Sequence, residues 1–174
     1  MKLIIHDLTE DTLQKVYPQI APNDMVITDS GSIRPCIGCF GCWLKTPGAC
    51  ILKDTYEQMG KNIAMCSEML IISKCVYGSY SPFVKNVLDR SISYIHPYFT
   101  VKNGEMHHQQ RYKRDFRLKV VFYGNGITAK EKETAQKLVK ANAVNLYCTV
   151  ESVTFLDSIQ EMEALKIDRK STRL

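Results

Sequence analysis

Met69-Leu70-Ile71-Ile72 is the stretch that decides the fold. Its consecutive apolar residues leave no polar face, which is typical of a strand buried on both sides in a parallel sheet. We expect this strand to cover residues 68–73. Ser81 and Pro82 then provide the cap and the first residue of a helix that continues to Ile92. A strand followed by a covering helix is the unit from which parallel sheets are built.

The same strand–helix unit recurs along the whole chain. We expect strands at residues 3–5, 24–27, 68–73, 118–123 and 147–155, and helices within residues 7–20, 54–66, 81–92, 128–145 and 158–167, before a frayed tail at 168–174. Strict alternation predicts an α/β fold, a doubly wound parallel five-stranded sheet with helices on both faces. Five strands favour the flavodoxin-like order 2-1-3-4-5, in a single domain that covers residues 1–174.

The composition argues against several classes of protein. No apolar run approaches the roughly 20 residues that a membrane-spanning helix needs, so we expect no membrane partner. Asp7 follows the first apolar run too soon for a signal peptide, which predicts an intracellular, cytoplasmic protein. The formal net charge of +5 is too small to indicate a nucleic-acid partner, although it is compatible with small anionic ligands.

A cysteine-rich loop is expected at residues 28–53, and a loop of this length is usually functional. It holds four of the seven cysteines, Cys36, Cys39, Cys42 and Cys50, with the spacing C-x2-C-x2-C-x7-C. Inside a cell, such a cluster indicates metal or redox chemistry rather than structural disulfides. The spacing leaves open a [4Fe-4S] cluster, a tetrahedral zinc site, a redox thiol pair such as Cys39 and Cys42, or plain packing. The other cysteines are expected to be packing residues: Cys66, Cys75 and Cys148.

Three loops are expected at the carboxyl edge of the sheet, where proteins of this topology bind ligands. They are the cysteine-rich loop, residues 74–81 after the third strand, and residues 124–126 after the fourth. In residues 74–81, Tyr77 and Tyr80 flank a glycine and a serine, which suits a planar ring held against backbone amides. Ordinary turn chemistry ahead of a helix cap is the competing interpretation.

Three segments resemble the flavodoxin-like NAD(P)H-dependent FMN reductase family, in particular its iron-sulfur flavoprotein branch. They are Cys36-Ile37-Gly38-Cys39-Phe40-Gly41-Cys42-Trp43, Gly48-Ala49-Cys50-Ile51-Leu52-Lys53-Asp54 and Val76-Tyr77-Gly78-Ser79-Tyr80-Ser81-Pro82-Phe83-Val84-Lys85-Asn86-Val87-Leu88-Asp89-Arg90. The resemblance implies an oxidoreductase that binds FMN, takes hydride from NAD(P)H, passes electrons to a small-molecule acceptor, and forms a homodimer or homotetramer. Because the flavin would carry the chemistry, no side chain is assigned as a catalytic acid or base.

The resemblance also implies which residues form the site. In the iron-sulfur branch a four-cysteine motif holds a [4Fe-4S] cluster close to the flavin, and by position its ligands would be Cys36, Cys39, Cys42 and Cys50. The flavin ring would lie against the loop after the third strand, with Tyr77 at the aromatic position, while Thr9 and Thr12 would offer hydroxyls to the phosphate. The remaining cofactor-binding positions are Lys74, Cys75, Val76, Gly78, Ser79, Tyr80, Gly124 and Asn125.

The first loop departs from the family pattern. The family has a Gly-Ser-Pro-Arg type loop, which cradles the FMN phosphate with backbone amides at a helix N-terminus. Residues 6–12 contain no glycine and three carboxylates, and carboxylates repel a phosphate dianion. The flavin is therefore expected to bind loosely, to be held by other groups, or to be absent. In the last case the chain would be a non-catalytic flavodoxin-like module whose four-cysteine loop binds metal or senses redox state.

Residues 96–117 form an insertion in which basic and aromatic side chains alternate, and they include His107 and His108. We expect a lid or dimer arm beside the neighbouring subunit's flavin, where its cations could steer the phosphates of NAD(P)H. A nucleic-acid surface is the weaker interpretation of the same composition.

Overall fold

A five-stranded parallel sheet forms the centre of the structure, a computed structural model that describes residues 1–164. In chain order the strands are β1 (Lys2–His6), β2 (Met25–Ile27), β3 (Glu68–Lys74), β4 (Ile95–Lys102), β5 (Glu105–Gln110), β6 (Arg117–Tyr123) and β7 (Thr149–Leu156). The central sheet has the order β2-β1-β3-β6-β7, with every neighbouring pair parallel. Counted among these five strands alone, the order is 2-1-3-4-5, so the expected α/β topology is confirmed. The assignment of residues 1–174 to a single domain stays a prediction.

Helices cover both faces of this sheet. They are α1 (Glu10–Val16), α2 (Gly41–Leu44), α3 (Met59–Met65), α4 (Pro82–Arg90), α5 (Ala129–Leu146) and α6 (Glu161–Ala164), and a 3-10 turn at Ile92–Tyr94 follows α4. Two expected caps form, at Ser81 for α4 and as a capping box between Thr128 and Glu131 for α5. In residues 1–164, no helix is long and apolar enough to cross a bilayer. The parts of the expected helix 158–167 and of the tail 168–174 beyond residue 164 lie outside the described residues.

The apolar run of β3 is divided between two cores. Met69 and Ile71 pack into a cluster with residues of α3, α4 and α5, whereas Leu70 and Ile72 face a smaller cluster with α1 and α6. All four side chains are buried. Burial of one such side chain contributes about 1.5–3 kcal/mol of transfer free energy, so this strand alone joins the two layers of helices strongly.

Three details differ from the sequence expectation. The helix expected at residues 54–66 begins only at Met59, and Asp54 lies in a preceding turn, where its carboxylate accepts from the Tyr56 amide at 3.0 Å and pairs with Arg90. The helix expected at residues 7–20 ends at Val16, shortly before Pro18. The cysteine-rich loop contains one short helix, α2, which the sequence analysis did not predict.

The insertion at residues 96–117 contains an antiparallel hairpin of β4 and β5, which the sequence analysis also missed. Asn103 and Gly104 form its turn with φ angles of 54° and 81°. Asn-Gly is the dipeptide preferred in two-residue hairpin turns, so a signal was present in the sequence. The Tyr147 hydroxyl donates to the His108 carbonyl oxygen at 2.7 Å and fixes β5 against the end of α5. The function of the hairpin as a lid or dimer arm stays a prediction.

Glu68 lies in an ion-pair network at the amino end of the sheet. Its side chain is buried, with the carboxylate 3.0 Å from Lys119 Nζ and 3.3 Å from Arg117 Nη2. Burial alone would raise the pKa of Glu68, but the hydrogen bond from Lys119 and the charges of Lys119, Lys2 and Arg117 outweigh it and hold the pKa below its ordinary value.

We expect Glu68→Gln to lower the free energy of unfolding by about 1–3 kcal/mol at neutral pH, because Lys119 loses a buried partner. The pKa of Glu68 is depressed in the folded protein. Its contribution is therefore complete above the unfolded-state value and is lost as the pH falls through the folded-state value. Urea unfolding should show the difference between the two proteins shrinking below about pH 4.

The exposed Asp157→Asn is the control for this comparison, and it should change the free energy of unfolding by less than about 0.5 kcal/mol at both pH values. A Glu68→Gln difference that stays constant down to low pH would contradict the assignment.

Candidate functional site

Four cysteines surround one small cavity in the loop between β2 and α3. Cys36, Cys39, Cys42 and Cys50 all line this cavity of about 40 Å³, whose walls are almost entirely apolar. Cys42 and Cys50 are buried, whereas Cys36 and Cys39 are exposed. Gly41 packs closely against Ile51, since a Cβ atom at position 41 would lie only 3.1 Å from the Ile51 side chain. The absence of a side chain at Gly41 therefore allows the two halves of the loop to touch. The structure therefore brings together the four residues that the spacing singled out.

The buried Arg90 side chain, at the end of α4, holds this loop in place. Its Nη1 and Nη2 atoms donate to the two carboxylate oxygens of Asp54 at 2.9 and 2.8 Å, a bidentate ion pair. Its Nε lies 3.1 Å from Cys50 Sγ, and Nη1 also donates to the Arg34 carbonyl oxygen at 2.8 Å. The Arg90 hydrogen bond holds the pKa of Asp54 below its ordinary value. Because a guanidinium cannot accept a hydrogen bond, the Cys50 sulfur is the acceptor in this contact.

Sequence analysis did not identify Arg90 as a functional residue. A signal existed, because Val84, Val87 and Arg90 recur at three-residue spacing on the buried face of α4. A charged residue in such a position needs a buried partner, and the partner is Asp54.

The thiols of the loop differ from the other cysteines in their surroundings. Burial, and then the neighbouring sulfurs Cys50, Cys36 and Cys39, raise the pKa of Cys42. Burial raises the pKa of Cys66 to about 11 and that of Cys148 to about 12, so both remain thiols at neutral pH, as expected for packing residues. Across residues 1–164, no three His, Cys, Asp or Glu side chains converge closely enough to hold a single metal ion.

Trp43 connects the cysteine loop to the hairpin. Its Nε1 donates to the Ile95 carbonyl oxygen at 2.9 Å, and its ring lies 4.9 Å from the His108 ring and 5.3 Å from the Phe40 ring. Trp43 is the single tryptophan of the chain. The loop and the hairpin thus form one continuous surface.

The loop after β3, expected to hold a flavin ring, is closed by its own hydrogen bonds. Val76 and Ser79 each donate an amide to the other's carbonyl oxygen at 2.9 Å, and the Cys75 amide donates to the Tyr123 carbonyl oxygen at 2.8 Å. Tyr77 sits at the tip with φ 52° and is 90% exposed. A side chain at Gly78 would lie 2.8 Å from α5, so this glycine serves helix packing. Tyr80 is buried, 5% exposed, and its ring stacks on the Phe122 ring at a centroid distance of 5.3 Å.

The loop after β6 lies beside the loop after β3. The Gly124 amide donates to the Leu156 carbonyl oxygen at 3.0 Å, and a side chain at Gly124 would lie 4.0 Å from the Cys75 carbonyl oxygen. Asn125 is exposed at the same edge. The structure therefore places the expected flavin-binding residues of these two loops together, although their amides are partly used by the protein itself.

In the first loop, residues 6–12, the Asp7 carboxylate and the hydroxyls of Thr9 and Thr12 bind to other groups of the protein. Asp7 accepts from the Lys74 amide at 2.9 Å and from the Tyr123 hydroxyl at 3.1 Å, so it bridges the carboxyl ends of β1, β3 and β6. Burial and the Asp7 charge raise the pKa of Tyr123 far above its ordinary value, which keeps this phenol a donor. Thr9 accepts from the Thr12 amide at 3.3 Å as the cap of α1, and the two hydroxyls lie 2.8 Å apart. Both threonines expected to bind a phosphate are thus engaged with each other.

His6 does not supply a cation to this loop. It is fully buried, and its Nδ1 accepts from the Leu8 amide at 3.2 Å. Burial lowers the pKa of His6, so the ring is neutral at neutral pH. Glu10 and Asp11 at the start of α1, together with Asp7, make the first loop acidic, and the neutral His6 ring does not offset their charge. The residues present do not fit the FMN phosphate.

No protein-family model and no curated protein matches the chain. Solved structures share its fold at low sequence identity. An NADPH-quinone reductase from P. pentosaceus has a TM-score of 0.55 at 12% identity, covering 100% of this chain and 99% of that one. An FMN-dependent NADH-azoreductase from Bacillus anthracis, in complex with FMN, has a TM-score of 0.53 at 10% identity, covering 99% and 97%. A flavone reductase has a TM-score of 0.52 at 10% identity, and this chain, matched over 98% of its length, spans 58% of it.

We expect Asp54→Ala to destabilise the protein by about 3 kcal/mol, because it leaves the fully buried Arg90 side chain without its carboxylate. Urea unfolding measures this loss, and a thiol reagent should react faster with Cys42 and Cys50 in the variant. Glu133→Ala is the matched control, since Glu133 pairs with Lys137 at the surface, away from the cysteine cavity, and should change the free energy of unfolding little. Equal effects of the two substitutions would show that Arg90 does not organise the loop.

We expect the phosphate of FMN to add nothing to flavin affinity. Titration of the protein into FMN and into riboflavin, followed by flavin fluorescence, should give affinities within about threefold of each other, because Asp7, Glu10 and Asp11 repel the dianion. Asp7→Asn should improve FMN binding relative to riboflavin. Binding of FMN more than about tenfold tighter than riboflavin would mean that an unidentified group holds the phosphate.

Proposed function

We propose that this protein is a redox protein in which the four-cysteine loop is the redox centre and holds a [4Fe-4S] cluster. The observation that carries this proposal is that Cys36, Cys39, Cys42 and Cys50 line one apolar cavity. The fully buried Arg90 side chain holds that loop in place. Burying a charge costs free energy, and four cysteines that served only as packing residues would not require it.

The donor set suits such a cluster. Thiolates are soft ligands that favour iron-sulfur clusters, and four cysteines complete the ligation of a [4Fe-4S] cluster. Each cysteine binds a different iron atom, so the sulfurs surround the cluster and need not converge on one point. When bound, the cluster supplies one-electron transfer. Arg90, donating to Cys50 Sγ, would offset part of the negative charge of the thiolates, and the apolar walls would exclude water.

Iron loading under anaerobic conditions tests this proposal. We expect the chain, reconstituted with iron and sulfide, to bind about four irons and to become brown, with a visible absorbance that dithionite bleaches. Cys50→Ser should lose most of the iron. Cys148→Ser is the matched control, because Cys148 is a partly buried thiol outside the loop, and it should load normally.

Zinc bound in place of iron, or four freely reactive thiols after reconstitution, would overturn the cluster. The first result would make the loop a structural or sensing metal site, and the second would make it a thiol-based redox sensor.

An FMN-dependent oxidoreductase is the second candidate, favoured by the sequence of residues 74–81 and by the likeness to FMN-dependent and quinone-linked reductases. In this case the flavin would take hydride from NADH or NADPH and reduce a small acceptor. It would be held by its ring rather than by its phosphate, at Lys74, Cys75, Val76, Tyr77, Gly78, Ser79, Tyr80, Gly124 and Asn125. Failure of both FMN and riboflavin to bind in the titration above would exclude this candidate.

For either candidate we propose a cytoplasmic homodimer or homotetramer with a small-molecule partner and no nucleic-acid or membrane partner. The hairpin of β4 and β5 would serve as the dimer arm, in line with its exposed Phe99 and Val101 side chains.

A further inference from the structure

A second cavity, of about 590 Å³, lies between α4, α5 and the β4–β5 hairpin. Its volume is within the range of sites for drug-sized organic molecules. Leu88, Leu138 and Leu146 provide apolar walls. The buried Tyr80 ring, stacked on Phe122 at a centroid distance of 5.3 Å, provides a rigid aromatic surface. The helices α4 and α5 thus form much of the wall, and residues of the cysteine loop and of the loop after β3 complete it.

The charges around this cavity favour a neutral ligand. Apart from the titratable His108, the charged side chains that line it are Lys85 and Asp89. These two form an ion pair one helical turn apart, so their charges cancel. An ionic ligand would lose its hydration without gaining an opposite charge.

Asn142 supplies hydrogen-bonding capacity within these apolar walls. Its Nδ2 lies 3.5 Å from the Tyr80 hydroxyl, a long contact, and within residues 1–164 its Oδ1 has no protein partner. A side-chain amide offers both a donor and an acceptor. The lining therefore matches a ring compound that carries an N–H or a carbonyl group.

The cavity adjoins the four-cysteine loop. Cys36, Gly38, Asp89 and Ile92 line both cavities, so one layer of residues separates them. Trp43, which packs on His108 at 4.9 Å, lies beside the same wall.

We propose that the cavity between α4, α5 and the hairpin is a binding site for an uncharged aromatic molecule with a hydrogen-bonding group. The proposal concerns binding alone. It goes beyond the redox function and does not depend on iron at the cysteines.

A matched pair of fluorescent probes tests this site in the full, iron-free chain. N-phenyl-1-naphthylamine is neutral and carries an N–H group, and 8-anilinonaphthalene-1-sulfonate has the same ring system with a sulfonate. We expect the neutral probe to bind saturably and to accept excitation energy from Trp43. The sulfonate should bind at least about tenfold more weakly, because the cavity offers its charge no partner.

Substitutions on α5 locate the bound probe. Leu138→Phe reduces the cavity and should weaken binding of the neutral probe at least about fivefold, whereas Gln136→Phe adds the same ring at an exposed position of the same helix and should leave it unchanged. Leu146→Phe serves as a second cavity variant if circular dichroism shows that Leu138→Phe is misfolded.

Equal affinity for the two probes, or binding that both cavity variants leave intact, would overturn the proposal. No binding together with a dimer in light scattering would also overturn it, in favour of a second copy of the chain covering this face.

Discussion

The buried guanidinium of Arg90 is the interaction on which the site depends. It lies at the end of a helix that packs directly on the sheet, so its position is set by the fold and not by the loop. From there it reaches Asp54, Cys50 and a carbonyl oxygen of the loop. A flexible segment of glycines and cysteines thereby acquires a fixed shape. The same Asp54 carboxylate also accepts from the Tyr56 amide, so it ties the end of the loop to the turn that precedes α3.

At the carboxyl edge of the sheet, the charged residue Asp7 also binds groups of the protein itself. At the position where related folds hold a phosphate, Asp7 bridges three strands and Thr9 caps α1, with the Thr12 hydroxyl 2.8 Å from that of Thr9. The carboxylate and hydroxyls of this edge are thus bonded within the protein, which leaves them less available to a ligand. The four-cysteine loop and its neighbouring cavity lie elsewhere, beside Asp89 and Ile92 at the end of α4.

Much of the fold could be predicted because its determinants are local. The apolar run of β3 and the cap of α4 mark one strand–helix unit, and the recurrence of this unit along the chain predicts the alternation of strands and helices. The spacing of Cys36, Cys39, Cys42 and Cys50 likewise identified the loop. The contacts of Arg90 and Asp7 could not be predicted, because each joins residues far apart in the chain whose meeting depends on how the elements pack. The hairpin was missed although Asn103-Gly104 indicated it, since its strands lack a clear apolar alternation.

The contacts of Arg90 join residues that are far apart in the chain, so we expect them to form late in folding. Arg90 is 40 residues from Cys50, 36 from Asp54 and 56 from Arg34. Contacts of this separation carry a loop-closure cost that is met only when β3 and α4 have docked. During synthesis the four cysteines emerge before Arg90, so the loop lacks these contacts until β3 and α4 have docked. The shape of the cysteine cavity therefore depends on a residue that lies 36 to 56 positions further along the chain than the loop residues it binds.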